Sequence, residues 1–159
     1  MTLVYKFIRQ IGLDHAPPFY KDPLFVSALG AALFFWMILG LYGIWHPIPL
    51  RETLSSRFFF LVLLQPVAEE LLFRGILQGQ WIQTQWGKSS WLGFSAANAM
   101  TSLLFVLGHF ISHPPLWAIA VFFPSILFGY FRDRHHSLYP SLFLHIFYNA
   151  GYFFLTGLP

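Results

Sequence analysis

Long apolar runs, separated by short polar or proline-containing segments, dominate the chain. A membrane-spanning helix needs about 20 mostly apolar residues. The runs approach that length, so the pattern predicts an all-α, polytopic transmembrane bundle of about five spans. The predicted spans are residues 24–45, 58–77, 90–111, 116–131 and 138–158.

A different pattern precedes the first span. Apolar and polar residues there take opposite faces of a helix, Val4, Phe7, Ile8 and Ile11 against Lys6, Arg9 and Gln10. This is typical of a short helix lying in the membrane interface, and a frayed terminus is the alternative. The chain is therefore divided into an N-terminal interfacial segment, 1–23, and a single transmembrane domain, 24–158, with its motif-bearing core at 58–158.

Composition supports membrane residence. Hydrophobic residues make up 57% of the 159 residues and charged residues only 9%, whereas a soluble domain carries about 25% charged residues. The absence of cysteine excludes disulfides, thiolate metal ligands and a cysteine nucleophile. A net charge of +3, spread over loops and termini, does not indicate a nucleic-acid partner.

Basic residues predict the orientation in the membrane. With five spans, one side collects six of them and the other side two: Lys6, Arg9, Lys21, Lys88, Arg132 and Arg134 against Arg51 and Arg57. Cytoplasmic loops carry the excess of Lys and Arg. The N-terminus is therefore expected in the cytoplasm.

Two adjacent glutamates and an arginine interrupt the second span, in "PVAEELLFRG". A charge inside a span costs about 2.5 kcal/mol or more, so such groups face a cavity or a partner. Glu70 and Arg74 are four residues apart and can form an ion pair along the helix. Glu69 points about 100° away from Glu70, which makes it the candidate general base. The alternative is that all three are structural.

The third predicted span carries a stripe along one face, Asn98, Ser102, Phe105 and His109. The stripe favours a cavity-facing role for His109, while helix packing is preferred for Asn98 and Ser102. The fifth span places His145 and Asn149 four residues apart. Such a pair can donate two hydrogen bonds to a developing oxyanion, and interhelical hydrogen bonding is the alternative.

Zinc is a second interpretation of the histidines. His109 and His113 have the spacing of a zinc pair, with His145 and Glu69 as further ligands. However, "HFISHPP" lacks the embedded glutamate of a zincin, and His113 stands against Pro114 at the predicted helix end. We therefore expect neither a metal nor a cofactor. A serine mechanism is also disfavoured, because neither G-x-S-x-G nor S-x-x-K occurs.

Three short motifs follow one another in the apolar segments. "EELLFR" fits E-E-x-x-x-R, "FVLGH" fits F-x-x-x-H, and "HIFYN" fits H-x-x-x-N. In order and spacing the chain resembles the CPBP (Abi) family of glutamic intramembrane proteases, which includes the CAAX prenyl endopeptidases. The resemblance covers about residues 58 to 158.

The resemblance implies a metal-independent peptidase. Glu69 and His109 would activate water, and His145 and Asn149 would hold the oxyanion. The supporting residues would be Glu70, Arg74 and Phe105. Because prenyl-protein endopeptidases are longer, a small prokaryotic inner-membrane member is expected, one that cuts near the C-terminal tail of a membrane-anchored protein.

Two other functions remain open. One is a non-catalytic scaffold or bacteriocin-immunity-type protein on the same fold. The other is a small transporter with a proton relay, which the lack of internal repeats disfavours. The predicted spans also place His145 nearer the cytoplasmic face and His109 nearer the outer face, about 10 Å apart along the membrane normal. Convergence of the four catalytic candidates is therefore a test of the protease interpretation: Glu69, His109, His145 and Asn149.

Overall fold

The computed structural model describes residues 2–159 and consists of helices with one small β-hairpin. The helices are α1 (Leu3–Ile11), α2 (Pro23–Leu41), α3 (56–81), α4 (Gln85–Lys88), α5 (Ala96–His109), α6 (Pro115–Ala120), α7 (Phe122–His135) and α8 (Tyr139–Thr156). Short 3₁₀ turns lie at Phe19–Lys21 and Leu50–Leu54. The hairpin pairs β1 (Ser90–Trp91) with β2 (Phe94–Ser95) in antiparallel register. The all-α class is confirmed.

The first two helices have clear end signals. The Thr2 hydroxyl accepts from the Tyr5 N–H at the start of α1, and Gly12, at φ 78°, ends that helix in the left-handed conformation. The predicted N-terminal helix is therefore present. Asp22 caps α2 by accepting from the Leu24 N–H at 3.0 Å. Arg134 also donates to the Asp22 carboxylate and holds its pKa below the usual range, so the start of α2 is tied to the end of α7.

Helix α3 is irregular, which its apolar pattern does not predict. Two wide π-helical stretches, Phe60–Leu64 and Leu71–Gln78, flank a six-residue α-helical stretch, Gln65–Glu70. Pro66 lies at the start of that stretch. π-helical turns are rare in proteins, and those that occur are often found at functional sites. Both glutamates therefore sit on the short regular piece between two widened ones.

Helix α8 organises the bundle by packing against α7, α2 and α3, and α5 packs against α7 and the C-terminal half of α3. The apolar core lies where α2, α7 and α8 meet, at Phe25, Ala28, Phe128, Phe131 and Leu144. Between α5 and α7, Asn98 Nδ2 donates to the Ile126 carbonyl at 2.9 Å, a packing contact of the kind expected for Asn98. Ser102 Oγ donates to Asn98 Oδ1 within α5, so this hydrogen bond does not join two helices.

The five-span count is not confirmed. Within residues 2–159, two helical stretches are long and apolar enough to cross a membrane, Pro23–Leu41 and Pro115–His135. The expected span 90–111 was wrong in its first third, because the hairpin occupies that part and Ser95 caps α5 by accepting from the Asn98 N–H. The expected span 24–45 was too long, since α2 ends at Leu41 and Gly43 adopts φ 71°.

Close contact between α2 and α8 gives a stability prediction. A Cβ built at Gly151 would lie 2.2 Å from the Trp36 ring. Overpacking of this kind costs about 1–3 kcal/mol, so we expect Gly151→Ala to lower the free energy of unfolding, measured in detergent, by that amount. The matched control is Gly30→Ala in α2, where no atom lies within 4 Å. The control should be neutral or slightly stabilising, and equal effects at the two positions would contradict the close contact.

Candidate active site

A buried ion pair lies at the centre of the bundle. Arg74 Nη1 is 3.1 Å from Glu70 Oε1, and both side chains are 0% exposed. The predicted pairing is therefore confirmed. Arg74 Nη2 also donates to the backbone carbonyl and hydroxyl of Ser125 on α7, at 3.1 and 2.8 Å. The guanidinium lies 4.7 Å from the centroid of the Phe105 ring, a favourable cation–π geometry. One arginine thus links α3, α5 and α7.

His145 joins the two glutamates. Its Nδ1 is 2.9 Å from Glu70 Oε1, and its Nε2 is 3.5 Å from Glu69 Oε2. The Phe128 ring stacks on the imidazole with centroids 5.0 Å apart. Each ring nitrogen of His145 therefore faces a carboxylate. Helical spacing along α3 predicts that Glu69 and Glu70 point in different directions. It does not predict that His145 lies between their carboxylates, because this contact depends on the distance between α8 and α3.

Glu69 differs from Glu70 in its exposure. Its side chain is 20% exposed, and its Oε1 accepts from Gln65 Nε2 at 2.8 Å. It lines a cleft of about 180 Å³ between α3 and the end of α5. The lining residues are Gln65, Glu69, Phe73, Phe105, Gly108, His109, Ser112 and His113. This volume has room for several waters, each of which occupies about 30 Å³ in the liquid.

His109 lies across that cleft with one ring nitrogen engaged. Its Nδ1 is 2.8 Å from the Phe105 backbone carbonyl. A carbonyl only accepts, so Nδ1 carries the proton, and in the neutral ring Nε2 is left with a lone pair. The Phe105 ring packs against His109 with centroids 4.4 Å apart. Phe105 thus sets both the tautomer and the orientation of the imidazole.

Phe105 lies between the two histidines. The Phe105 ring contacts His109, and its centroid is 6.1 Å from that of His145 in an edge-on arrangement. One aromatic ring therefore separates them.

Asn149 is engaged elsewhere. Its Nδ2 donates to the Leu61 backbone carbonyl at 3.0 Å, and it is not among the residues that line the cleft. The structure therefore brings together Glu69, His109 and His145, and it places the Asn149 amide against the backbone of α3.

The zinc alternative is not supported by the arrangement of its ligands. Across residues 2–159, no three His, Asp or Glu side chains are grouped closely enough to hold a metal ion. His113 turns to a local partner, with its Nδ1 2.9 Å from the Ser112 hydroxyl.

A second, larger cleft of about 430 Å³ lies at the C-terminal end of α7. Asp133 lines it, and its carboxylate accepts from the Ser95 hydroxyl and from Gln78 Nε2. These bonds fasten the hairpin and α3 to the end of α7. The Asp133 carboxylate therefore has a structural role in this cleft.

Sequence reasoning missed two partners of the site. Gln65 could have been recognised, because it stands four residues before Glu69 and therefore on the same face of α3. Ser125 carried no such signal. Its contact with Arg74 spans 51 residues and depends on the packing of α7 against α3.

The buried ion pair gives a second stability prediction. Removing one partner of such a pair costs about 3–5 kcal/mol, because the other charge stays buried. We expect Arg74→Met to destabilise the protein by about 3 kcal/mol, measured by unfolding in detergent, since His145 still faces Glu70. Adding Glu70→Gln should recover at least half of the loss.

Arg51→Met is the control for this prediction. Arg51 is exposed, so its replacement should change the free energy of unfolding by no more than about 0.5 kcal/mol. If the double variant were less stable than Arg74→Met alone, the loss would not come from an unpaired Glu70 charge.

Comparison with known proteins agrees with the motifs. The model of the family described as type II CAAX prenyl endopeptidase Rce1-like matches residues 51–151. This region holds α3, α5, α7 and most of α8, and therefore every residue of the site described above. No curated protein and no solved structure matches the chain significantly. The family match and the two long apolar helices identify the chain as a membrane protein that belongs to the Rce1-like family of proteases.

Proposed function

We propose that the protein is a glutamic intramembrane endopeptidase that hydrolyses a peptide bond near the C-terminal tail of a membrane-anchored protein. The observation that carries this proposal is the cleft shared by Glu69 and His109. One is a partly exposed carboxylate, and the other is an imidazole whose Nε2 is the acceptor in the neutral ring. No metal takes part in the proposed reaction.

The first step is activation of water. A water molecule in the cleft donates one hydrogen to Glu69 and the other to His109 Nε2, and its oxygen attacks the scissile carbonyl carbon. A new C–O bond forms, the proton passes to Glu69, and the carbonyl electron pair moves onto oxygen. Gln65 holds Oε1 of Glu69 through its 2.8 Å hydrogen bond, so the carboxylate is oriented before the water is bound.

The second step is stabilisation and collapse of the tetrahedral intermediate. His145 is the proposed donor to the oxyanion, since its Nε2 lies 3.5 Å from Glu69, beside the reacting groups. Its Nδ1 faces the Glu70 carboxylate, which only accepts, so the donor in this step is the ring with a proton on both nitrogens. Glu69 then gives the proton to the amide nitrogen, the C–N bond breaks and the carbonyl re-forms. Asn149 is the second donor that the family resemblance implies, but one of its two amide hydrogens is already used on Leu61.

The family name describes prenylated CAAX proteins as substrates of its members. For this chain the substrate class is proposed only as a membrane-associated protein tail. The basic Lys6 and Arg9 of α1 lie at the same end of the bundle as Arg132, which donates to the Gln10 carbonyl at 2.8 Å. This common basic end supports the proposal that the N-terminus faces the cytoplasm of a prokaryotic inner membrane.

A non-catalytic scaffold or immunity-type protein is the second candidate function. The observation that favours it is the buried polar network of Glu70, Arg74, His145 and Ser125, which joins three helices. Such a network holds the helices together without any reaction. Glu69 is the residue that separates the two functions, because it alone of the two glutamates reaches the cleft.

Loss of the proposed base should abolish peptide hydrolysis. General acid–base groups contribute about 10²–10⁴-fold, so we expect Glu69→Ala and His109→Ala each to lower kcat by at least about 100-fold. The assay uses purified protein in nanodiscs with quenched fluorescent peptides that end in apolar tails, unmodified in one arm and farnesylated in the other. Glu52→Ala, in the 3₁₀ turn away from the cleft, is the control. Full activity of Glu69→Ala would end the proposal.

The isosteric change Glu69→Gln distinguishes enzyme from scaffold. An amide fills the same volume but cannot accept the proton from water, so we expect a folded protein with at least about 100-fold lower kcat. Folding is checked by the unfolding midpoint in detergent. Unchanged biological activity in this folded variant would favour the scaffold, because only a reaction requires the carboxylate.

A further inference from the structure

The helix that carries both glutamates has a gap in its backbone hydrogen bonding. At the end of the π-helical stretch Phe60–Leu64, the N–H of Gln65 bonds to the Phe60 carbonyl, five residues back. In α-helical register that N–H would have bonded to Leu61. In π-helical register the partner of Leu61 would be residue 66, which is a proline without an N–H. Because the Gln65 N–H is used on Phe60 and residue 66 has no N–H, the Leu61 carbonyl receives a donor from neither position.

Asn149 fills this gap from the neighbouring helix. Its side-chain Nδ2 donates to the Leu61 carbonyl at 3.0 Å. A polar group withdrawn from water without a partner destabilises the fold, and in a bilayer no water can replace the missing hydrogen bond. The amide of Asn149 therefore takes the place of the N–H that Pro66 lacks.

This contact and the one made by His145 hold α3 at two points. His145 and Asn149 are one turn apart on α8, and they reach Glu70 and Leu61 respectively. Glu69 lies between the two anchored positions, eight residues after Leu61 and one before Glu70. The rotation and height of Glu69 relative to His145 therefore depend on both anchors.

We propose that Asn149 is a positioning residue, whose amide replaces the missing Pro66 donor and so holds Glu69 in place, and that it does not contact the reacting carbonyl. This inference rests on the proposed peptidase function. It differs from the oxyanion role that the family resemblance implies for Asn149. Because the gap originates at Pro66, a residue with an N–H at position 66 should make Asn149 dispensable.

The test is a double-mutant cycle of wild type, Asn149→Ala, Pro66→Ala and the double variant. In each, kcat and KM are measured per folded enzyme on the quenched apolar-tail peptide, together with the unfolding midpoint in detergent. We expect Asn149→Ala to lower kcat by about 10- to 100-fold through misplacement of Glu69, with KM changed less than about twofold. Pro66→Ala alone should stay within about threefold of wild type, because residue 66 contacts no reacting group.

The decisive measurement is whether Pro66→Ala rescues the activity of Asn149→Ala. In the Pro66→Ala background, the new N–H can bond to the Leu61 carbonyl, and the loss from Asn149→Ala should shrink to within about threefold. His145→Ala, one turn away on α8, is the matched control and should not be rescued. An equal loss from Asn149→Ala in both backgrounds would overturn the proposal and assign Asn149 to the oxyanion.

Two provisions keep the test decisive. If Pro66→Ala does not fold, Pro66→Ser supplies the same N–H. If the wild-type protein cleaves none of the peptides, the proposed function fails, but the unfolding midpoints still test the positioning contact. Asn149→Ala should then lower the midpoint less with alanine at position 66 than with proline, and an equal decrease in both backgrounds would overturn the proposal.

Discussion

The rest of the structure depends on the buried ion pair between Glu70 and Arg74. Two charges withdrawn from water are costly unless each is well paired, and here both side chains are fully buried. Glu70 Oε2, Arg74 Nε and Arg74 Nη1 make no hydrogen bond within residues 2–159, so the two charges depend mainly on their mutual attraction, on His145 and on Ser125. A shift of α3 relative to α7 or α8 would therefore weaken the pairing of a buried charge, and this constraint holds the part of α3 that carries Glu69.

The ion pair was predictable because both residues lie on one helix, and side chains four residues apart on a helix are neighbours on the same face. Of the four candidates that the three motifs predicted, Glu69 and His109 line the cleft and His145 contacts Glu69, whereas Asn149 bonds to the backbone of α3. The bridge of His145 to both carboxylates was not predictable, because it depends on the distance between α3 and α8. The predicted helix boundaries were wrong where local signals outweigh hydropathy. An example is Ser95, whose hydroxyl caps α5 within an apolar run.

The irregular backbone of α3 has a structural cause and a structural consequence. Pro66 removes a donor, and the widened turn before it displaces the carbonyl of Leu61 from its usual partner. Asn149 on α8 donates to this carbonyl, so the missing hydrogen bond within α3 is replaced by one between α3 and α8. Hydropathy indicated only an apolar helix. The compensating amide lies 83 residues later in the chain than Pro66, beyond the reach of local reasoning.

Two adjacent carboxylates can take different roles because their surroundings differ. Glu70 is enclosed and shares its charge with an arginine and an imidazole, so a proton taken from water would break a network that holds three helices. Glu69 is 20% exposed and hydrogen-bonded to the neutral amide of Gln65, so it can accept a proton without disturbing the ion pair. The polar network therefore serves as a fixed support, and proton transfer is assigned to the one carboxylate that reaches the cleft.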